Sequence, residues 1–181
     1  MSAQPLFPRA PAGVLAGFVA AMVAVIAASN VLVQQPVNDW LTWGAITYPF
    51  AFLVTDLANR FHGPAFARRV VWAGFVIAVA ASAWLATPRI AVASGTAFLL
   101  AELVDVRIFD RLRHQAWWRP PLVSTLAGSV LDTAIFFCVA FAGTDMPWIT
   151  LALGDLGVKF GLALATLLPF RAALALWRPQ A

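Results

Sequence analysis
The chain has 181 residues, of which 62% are hydrophobic and only 11% charged. A soluble domain carries about 25% charged residues and is less than half apolar, so these charges are too few to cover a water-facing surface. The net charge of +4 does not mark a nucleic-acid binder, because the basic residues sit in short patches between apolar runs.

Residues 1–12 hold one arginine and three prolines and read as a cytoplasmic segment. Residues 13–33 form an apolar run long enough to cross a bilayer, so it is expected to be a retained first span rather than a cleaved signal. Further apolar runs follow at 41–58, 70–86, 90–104, 122–142 and 148–170, and 172–181 forms a tail. Pro49 lies inside the second run and is expected to break or kink it. Pro88 and Arg89 mark a tight turn between the third and fourth. The expected architecture is all-α: a compact polytopic bundle of six transmembrane helices filling residues 13–171, with no separate soluble domain.

Charge placement sets the expected orientation. With the N-terminus inside, Arg9, Arg60, Arg68, Arg69, Arg107, Arg111, Arg113, Arg119, Arg171 and Arg178 all fall in cytoplasmic segments. Only Arg89 falls outside, and Lys159 lies within a span. That asymmetry follows the positive-inside rule and places both termini in the cytoplasm. Trp40, Trp43, Trp84 and Trp148 then fall near the outer boundary, and Trp72, Trp117, Trp118 and Trp177 near the inner one. An aromatic belt accounts for all eight, with Trp72 and Trp84 the best placed for ligand stacking. The single cysteine, Cys138, reads as a buried small hydrophobe.

The segment FLVTDLANR in the second run matches FLLAELVDVR in the fourth at a constant offset. Phe52, Leu53, Asp56, Leu57 and Asn59 fall opposite Phe98, Leu99, Glu102, Leu103 and Asp105. The spacing suits a parallel repeat of helical hairpins, and each copy puts two polar groups on one helix face.

Asp56, Glu102, Asp105, Asp132, Asp155 and Lys159 all fall in or at the edge of apolar runs. A charge at the bilayer centre costs about 2.5–3.5 kcal/mol, so each must face another polar group, water or a ligand. Asp155 and Lys159 are one helical turn apart and can pair. Asp132 lies beside Thr133 with no basic neighbour at helical spacing, and a hydrogen bond to another helix would satisfy it. Asp105 abuts Arg107 and reads as interfacial. Gly95, Gly128, Gly154, Gly157 and Gly161 offer small surfaces for helix contacts, and two copies could pack as a dimer with Gly157–Gly161 as one contact. There is no nucleotide-binding loop, and no histidine–cysteine cluster for a metal. His62 and His114 read as solvated loop residues. No serine or cysteine has a histidine at its depth, which disfavours an intramembrane hydrolase. These features describe a carrier for a small polar solute without a cofactor.

Three ordered blocks carry a family resemblance: YPFAFLVTDLANRFHGPAFARRVVWAGF at 48–75, ASGTAFLLAELVDVRIFDRLR at 93–113 and STLAGSVLDTAIFFCVAF at 124–141, followed by the span with Lys159. The chain resembles the queuosine precursor transporter (VUT) family over residues 28–169. The resemblance implies a multi-pass importer of the bacterial inner membrane. Its implied cargo is 7-cyano- or 7-aminomethyl-7-deazaguanine, salvaged for tRNA modification. It implies Asn30, Asp56, Asn59, Glu102, Asp105, Ser124, Ser129, Asp132, Thr133 and Lys159 as matching polar positions. Arg60 departs from the acidic residue common at its position, and LLPFRAAL departs from a Thr-Pro ending.

A carboxylate can accept the adjacent ring N–H and amine of a deazaguanine together. The expected cargo site is therefore Glu102, Asp132 and Asn30, with Ser129, Thr133 and Lys159 supplying donors. Asp56, Asn59, Asp105 and Asp155 are the candidates for coupling or gating: a carboxylate could exchange a proton, whereas facilitated diffusion followed by trapping inside the cell would need none. Two alternatives use the same helices: a membrane subunit energised by a separate ATPase, and an assembly protein without cargo.

Overall fold
The computed structural model describes residues 7, 10–32, 36–38, 41–85, 88–145 and 147–177. Helix α1 is Ala12–Leu32. A two-stranded antiparallel hairpin follows, β1 Pro36–Asn38 against β2 Leu41–Thr42. Then come α2 Trp43–Thr47, α3 Phe50–His62, α4 Pro64–Leu85, α5 Pro88–Leu112 and α6 Arg119–Phe141. The chain closes with α7 Trp148–Ala165 and α8 Leu167–Leu176.

Proline sets most of these boundaries. Pro64 and Pro88 open α4 and α5, Pro120 and Pro121 lie in the first turn of α6, and Pro147 immediately precedes α7. Proline lacks an N–H that the first helical turn would leave unpaired anyway, and its φ already suits the helix. Pro49 separates α2 from α3, as its ring and missing donor require. Pro169 cannot donate to the carbonyl four residues back, at Ala165, where α7 gives way to α8. The bend at Thr166 keeps the chain helical, with Thr166 N–H donating to Leu162 O (2.8 Å) and Phe170 N–H to Thr166 O (3.1 Å). Gly63 ends α3 at φ 83°, a conformation that favours glycine, and lets the chain turn directly into α4.

The interior and exterior are inverted relative to a water-soluble protein. Val76, Val92, Leu153, Leu168 and Leu176 are exposed, whereas Asp56, Asn59, Glu102, Asp105, Ser129, Asp132 and Lys159 are buried. Lipid explains this arrangement, because it solvates apolar side chains and cannot hydrogen-bond polar ones. Three helical stretches among the described residues are long and apolar enough to cross a membrane: Ala12–Ser29, Arg119–Phe141 and Trp148–Leu176. The protein is therefore an all-α, multi-pass membrane protein.

The bundle divides into an apolar half and a polar half. Met22 and Ile26 of α1, Ala51 and Ala58 of α3, Phe66, Ala67, Val70 and Val71 of α4, and Phe98 and Val106 of α5 form one apolar core. The buried polar residues gather where α3, α5, α6 and α7 meet. Helices α5 and α6 pack most extensively. Gly128 of α6 leaves room for the Phe52 ring of α3, which would stand 2.6 Å from a Cβ there.

Five local expectations change. Cys138 is exposed on α6 rather than buried, where lipid solvates it as well as a core would. Residues 41–42 are a strand rather than the start of a helix. His62 is not a loop residue; it ends α3, packed against Phe18, Phe66 and Trp177. Trp72 is half exposed and meets the Phe75 ring edge, which does not form a stacking slot. Gly154, Gly157 and Gly161 face open space, so that stripe takes no part in packing within the chain. Trp40 and residues 86–87 lie outside the described residues, as does the side chain of Trp84.

Candidate functional site
Lys159 of α7 is the centre of the first polar cluster. Its ammonium donates to Asp132 Oδ2 (2.7 Å), to Thr133 Oγ1 (3.0 Å) and to Asp155 Oδ2. All three donors of the ammonium are thus used. Thr133 passes its own hydrogen to Asp155 Oδ2 at 2.8 Å. The pairing of Asp155 with Lys159 follows from their spacing on one helix. Asp132 makes the expected hydrogen bond to another helix, and its donor there is the Lys159 ammonium, 27 residues away.

Two carboxylates face one ammonium here, so the cluster carries one excess negative charge if both are ionised. Asp132 Oδ1 has only a long contact with the Tyr48 hydroxyl at 3.4 Å. That oxygen has acceptor capacity to spare. Tyr48 also places its ring 5.9 Å from the Lys159 ammonium. It was not among the expected site residues, although the only tyrosine in the chain, next to a helix-breaking proline, was a signal for it.

Glu102 of α5 lies beside this cluster and differs from it in one respect. It is 1% exposed, and neither carboxylate oxygen has a hydrogen-bond partner among the described residues. Its electrostatic neighbours are Asp105, Thr55 and Asp132. The hydroxyls of Thr55 and Ser129 are likewise buried without partners. Buried polar groups are ordinarily paired, so four orphaned oxygens on three residues at the centre of the bundle need an explanation.

Asp56 of α3 and Asp105 of α5 form a second cluster. Ser124 Oγ donates to Asp56 Oδ1 at 3.1 Å and Thr125 Oγ1 to Asp56 Oδ2 at 3.2 Å. Asp105 is fully buried rather than interfacial, and it faces Asp56 and Ser124. Neither of its oxygens has a hydrogen-bond donor among the described residues.

Asn59 belongs to a third arrangement. Its amide donates to Val106 O at 2.9 Å, and its Oδ1 accepts from the Arg113 guanidinium. Arg113 also donates to Asn59 O at 2.9 Å, and Arg60 donates to Arg113 O at 3.0 Å. This clasp ties the C-terminal ends of α3 and α5 together. The sequence marks Arg113 only as a cytoplasmic charge, because nothing near it signals a partner 54 residues away.

The expected residues thus fall into separate groups. Asp132, Thr133, Asp155 and Lys159 meet directly, Glu102 and Ser129 are buried nearby, Asp56 pairs with Asp105, and Asn59 joins the clasp. Asn30 lies in α1, and its side chain is outside the described residues. No histidine, cysteine or acidic group among the described residues is arranged to hold a metal.

Comparison with known proteins adds to this geometry. Residues 42–87 and 81–174 match the family described as a putative vitamin uptake transporter. The chain is 37% identical over 179 aligned positions to the queuosine precursor transporter of Escherichia coli strain K12, covering 83% of this chain and 81% of that one. It is 34% identical to a probable queuosine precursor transporter of Haemophilus influenzae (74% of this chain, 72% of that one). It is 28% identical to a probable queuosine precursor transporter of Bacillus subtilis (70% and 68%). No solved structure matches. The similar proteins are transporters rather than enzymes.

Proposed function
The chain belongs to the queuosine precursor transporter family, and on that premise we propose that it imports 7-deazaguanine precursors of queuosine across the bacterial inner membrane. In this reading all six helical units cross the bilayer, α2–α3 and α7–α8 each counting as one, and both termini are cytoplasmic. The cargo is 7-cyano-7-deazaguanine, its aminomethyl form, or both.

The observation that carries this reading is the pair of unpartnered Glu102 oxygens in the bundle interior. A deazaguanine offers a ring N–H beside an exocyclic amine, and a carboxylate is the planar acceptor that fits both. Asp132 Oδ1 supplies a further acceptor, and the Ser129 hydroxyl supplies a donor for the keto group. Lys159 has no free hydrogen in this arrangement. It reaches cargo only by releasing one of its present partners. The excess negative charge around Lys159 would also accommodate an aminomethyl cation.

Uptake of labelled 7-cyano-7-deazaguanine into vesicles holding only the purified protein tests this reading. Glu102→Gln replaces one acceptor with a donor and disturbs no hydrogen bond within the described residues. Charge-assisted hydrogen bonds contribute about 1.5–3 kcal/mol, so cargo affinity should fall roughly 10- to 100-fold while the protein stays folded. Unchanged affinity in the variant would remove Glu102 from the site. Binding without uptake in the parent would point to a missing ATPase partner.

A further inference from the structure
The facing carboxyls of Asp56 and Asp105 have no countercharge. Lys159 directs its three hydrogens to Asp132, Thr133 and Asp155. Arg113 is engaged with Asn59, Arg60 and Asp110. Among the described residues, no buried cation remains for Asp56, Asp105 or Glu102. The titratable group that faces this contact is Glu102 of α5, which in turn neighbours Asp132 of α6, and Asp132 meets Tyr48, Lys159 and Asp155.

A second observation concerns hydrogen-bond donors. Asp105 is 0% exposed and neighbours Asp56 and Ser124, yet neither of its oxygens has a hydrogen-bond partner of good geometry among the described residues. The Thr55 hydroxyl, also 0% exposed, is orphaned beside Glu102. An ionised carboxylate only accepts hydrogen bonds, whereas a carboxylic acid donates one. One proton on the pair therefore supplies the missing donor and also removes the repulsion between two buried like charges.

We propose that Asp56 and Asp105 share one exchangeable proton across the α3–α5 contact, and that this pair carries the coupling ion of transport. The assignment rests on the importer reading and separates the coupling site from the cargo site at Glu102 and Asp132. One proton binds from the outer solution and leaves to the cytoplasm, with no covalent change. Its departure places two negative charges on facing helices. That repulsion acts on α5, the helix that also bears Glu102, so proton release bears mechanically on the cargo site.

Two measurements test the pair. Infrared spectra of the purified protein, without cargo, should contain a protonated-carboxyl C=O band near neutral pH that Asp105→Asn and Asp56→Asn each remove. In vesicles, an acid-outside gradient should drive accumulation of labelled 7-cyano-7-deazaguanine by the parent. Asp105→Asn should lose that accumulation yet still exchange labelled for unlabelled cargo, since exchange needs no net proton movement. Absence of the band in the parent overturns the proposal. Gradient-driven accumulation by Asp105→Asn overturns it, as does loss of exchange along with accumulation. Accumulation that follows a sodium gradient also overturns it. If the parent neither binds nor exchanges this cargo, the cargo reading fails, and the infrared band alone decides the shared proton.

Discussion

Lys159 illustrates how far a single residue can be read from its chemistry. A lysine in an apolar helix must have an anionic partner, and Asp155 one turn away is an obvious one. The second partner, Asp132, comes from α6 and completes a three-way arrangement with Thr133. The geometry predicts an asymmetry in stability. Lys159→Met leaves two carboxylates without their cation and should cost about 3–5 kcal/mol, the loss expected when one member of a buried ion pair is removed. Asp132→Asn leaves Lys159 bonded to Asp155 and should cost much less. Thermal unfolding of the two variants in detergent checks this, and equal losses would contradict the shared ammonium. Arg89 is a different lesson. It is the lone basic residue on the expected outer side, and its guanidinium donates to Val139 O (2.8 Å) and Ala142 O (2.6 Å) at the end of α6. Capping unpaired helix carbonyls accounts for an arginine that the charge rule alone leaves as an exception.

Among the elements, the repeated segments of α3 and α5 present equivalent positions to the interior. Phe52 and Phe98, Asp56 and Glu102, and Asn59 and Asp105 are all buried. The shared pattern was legible because a helix returns to one face every three or four residues. The unequal roles of the copies were not, since Asn59 bonds Arg113 while Asp105 faces Asp56. Glycine shows the same division. Nothing local distinguishes Gly128 from Gly157, yet Gly128 sits under Phe52 and the Ala101 carbonyl while Gly157 faces open space. Gly128→Val should collide with the Phe52 ring of α3 and destabilise the protein by about 1–3 kcal/mol, the usual cost of overpacking. Gly157→Val should leave the unfolding midpoint of the monomer unchanged. Light scattering on that variant would reveal whether the exposed Gly157–Gly161 face joins two copies.

Taken whole, the molecule is a membrane transport protein turned outward in its apolar residues and inward in its charges. The six-span reading makes a definite prediction about sidedness. In a Cys138→Ser background, Asp145→Cys should react with a membrane-impermeant maleimide added to intact cells. His114→Cys should react only after the membrane is opened. The reverse labelling would invert the proposed orientation, and labelling of both from outside would rule out the span count. The sequence by itself determined that the chain lives in lipid and which polar residues must be hidden, while the helix starts moved, α4 opening at Pro64 rather than at 70. The lipid setting and the hidden polar residues follow from local composition and from the cost of exposing charge to hydrocarbon. Only the tertiary structure decided which hidden groups meet. The partners of Lys159, Asp56 and Arg113 arrive from helices 27, 68 and 54 residues away, and helix packing alone brings them within hydrogen-bond reach.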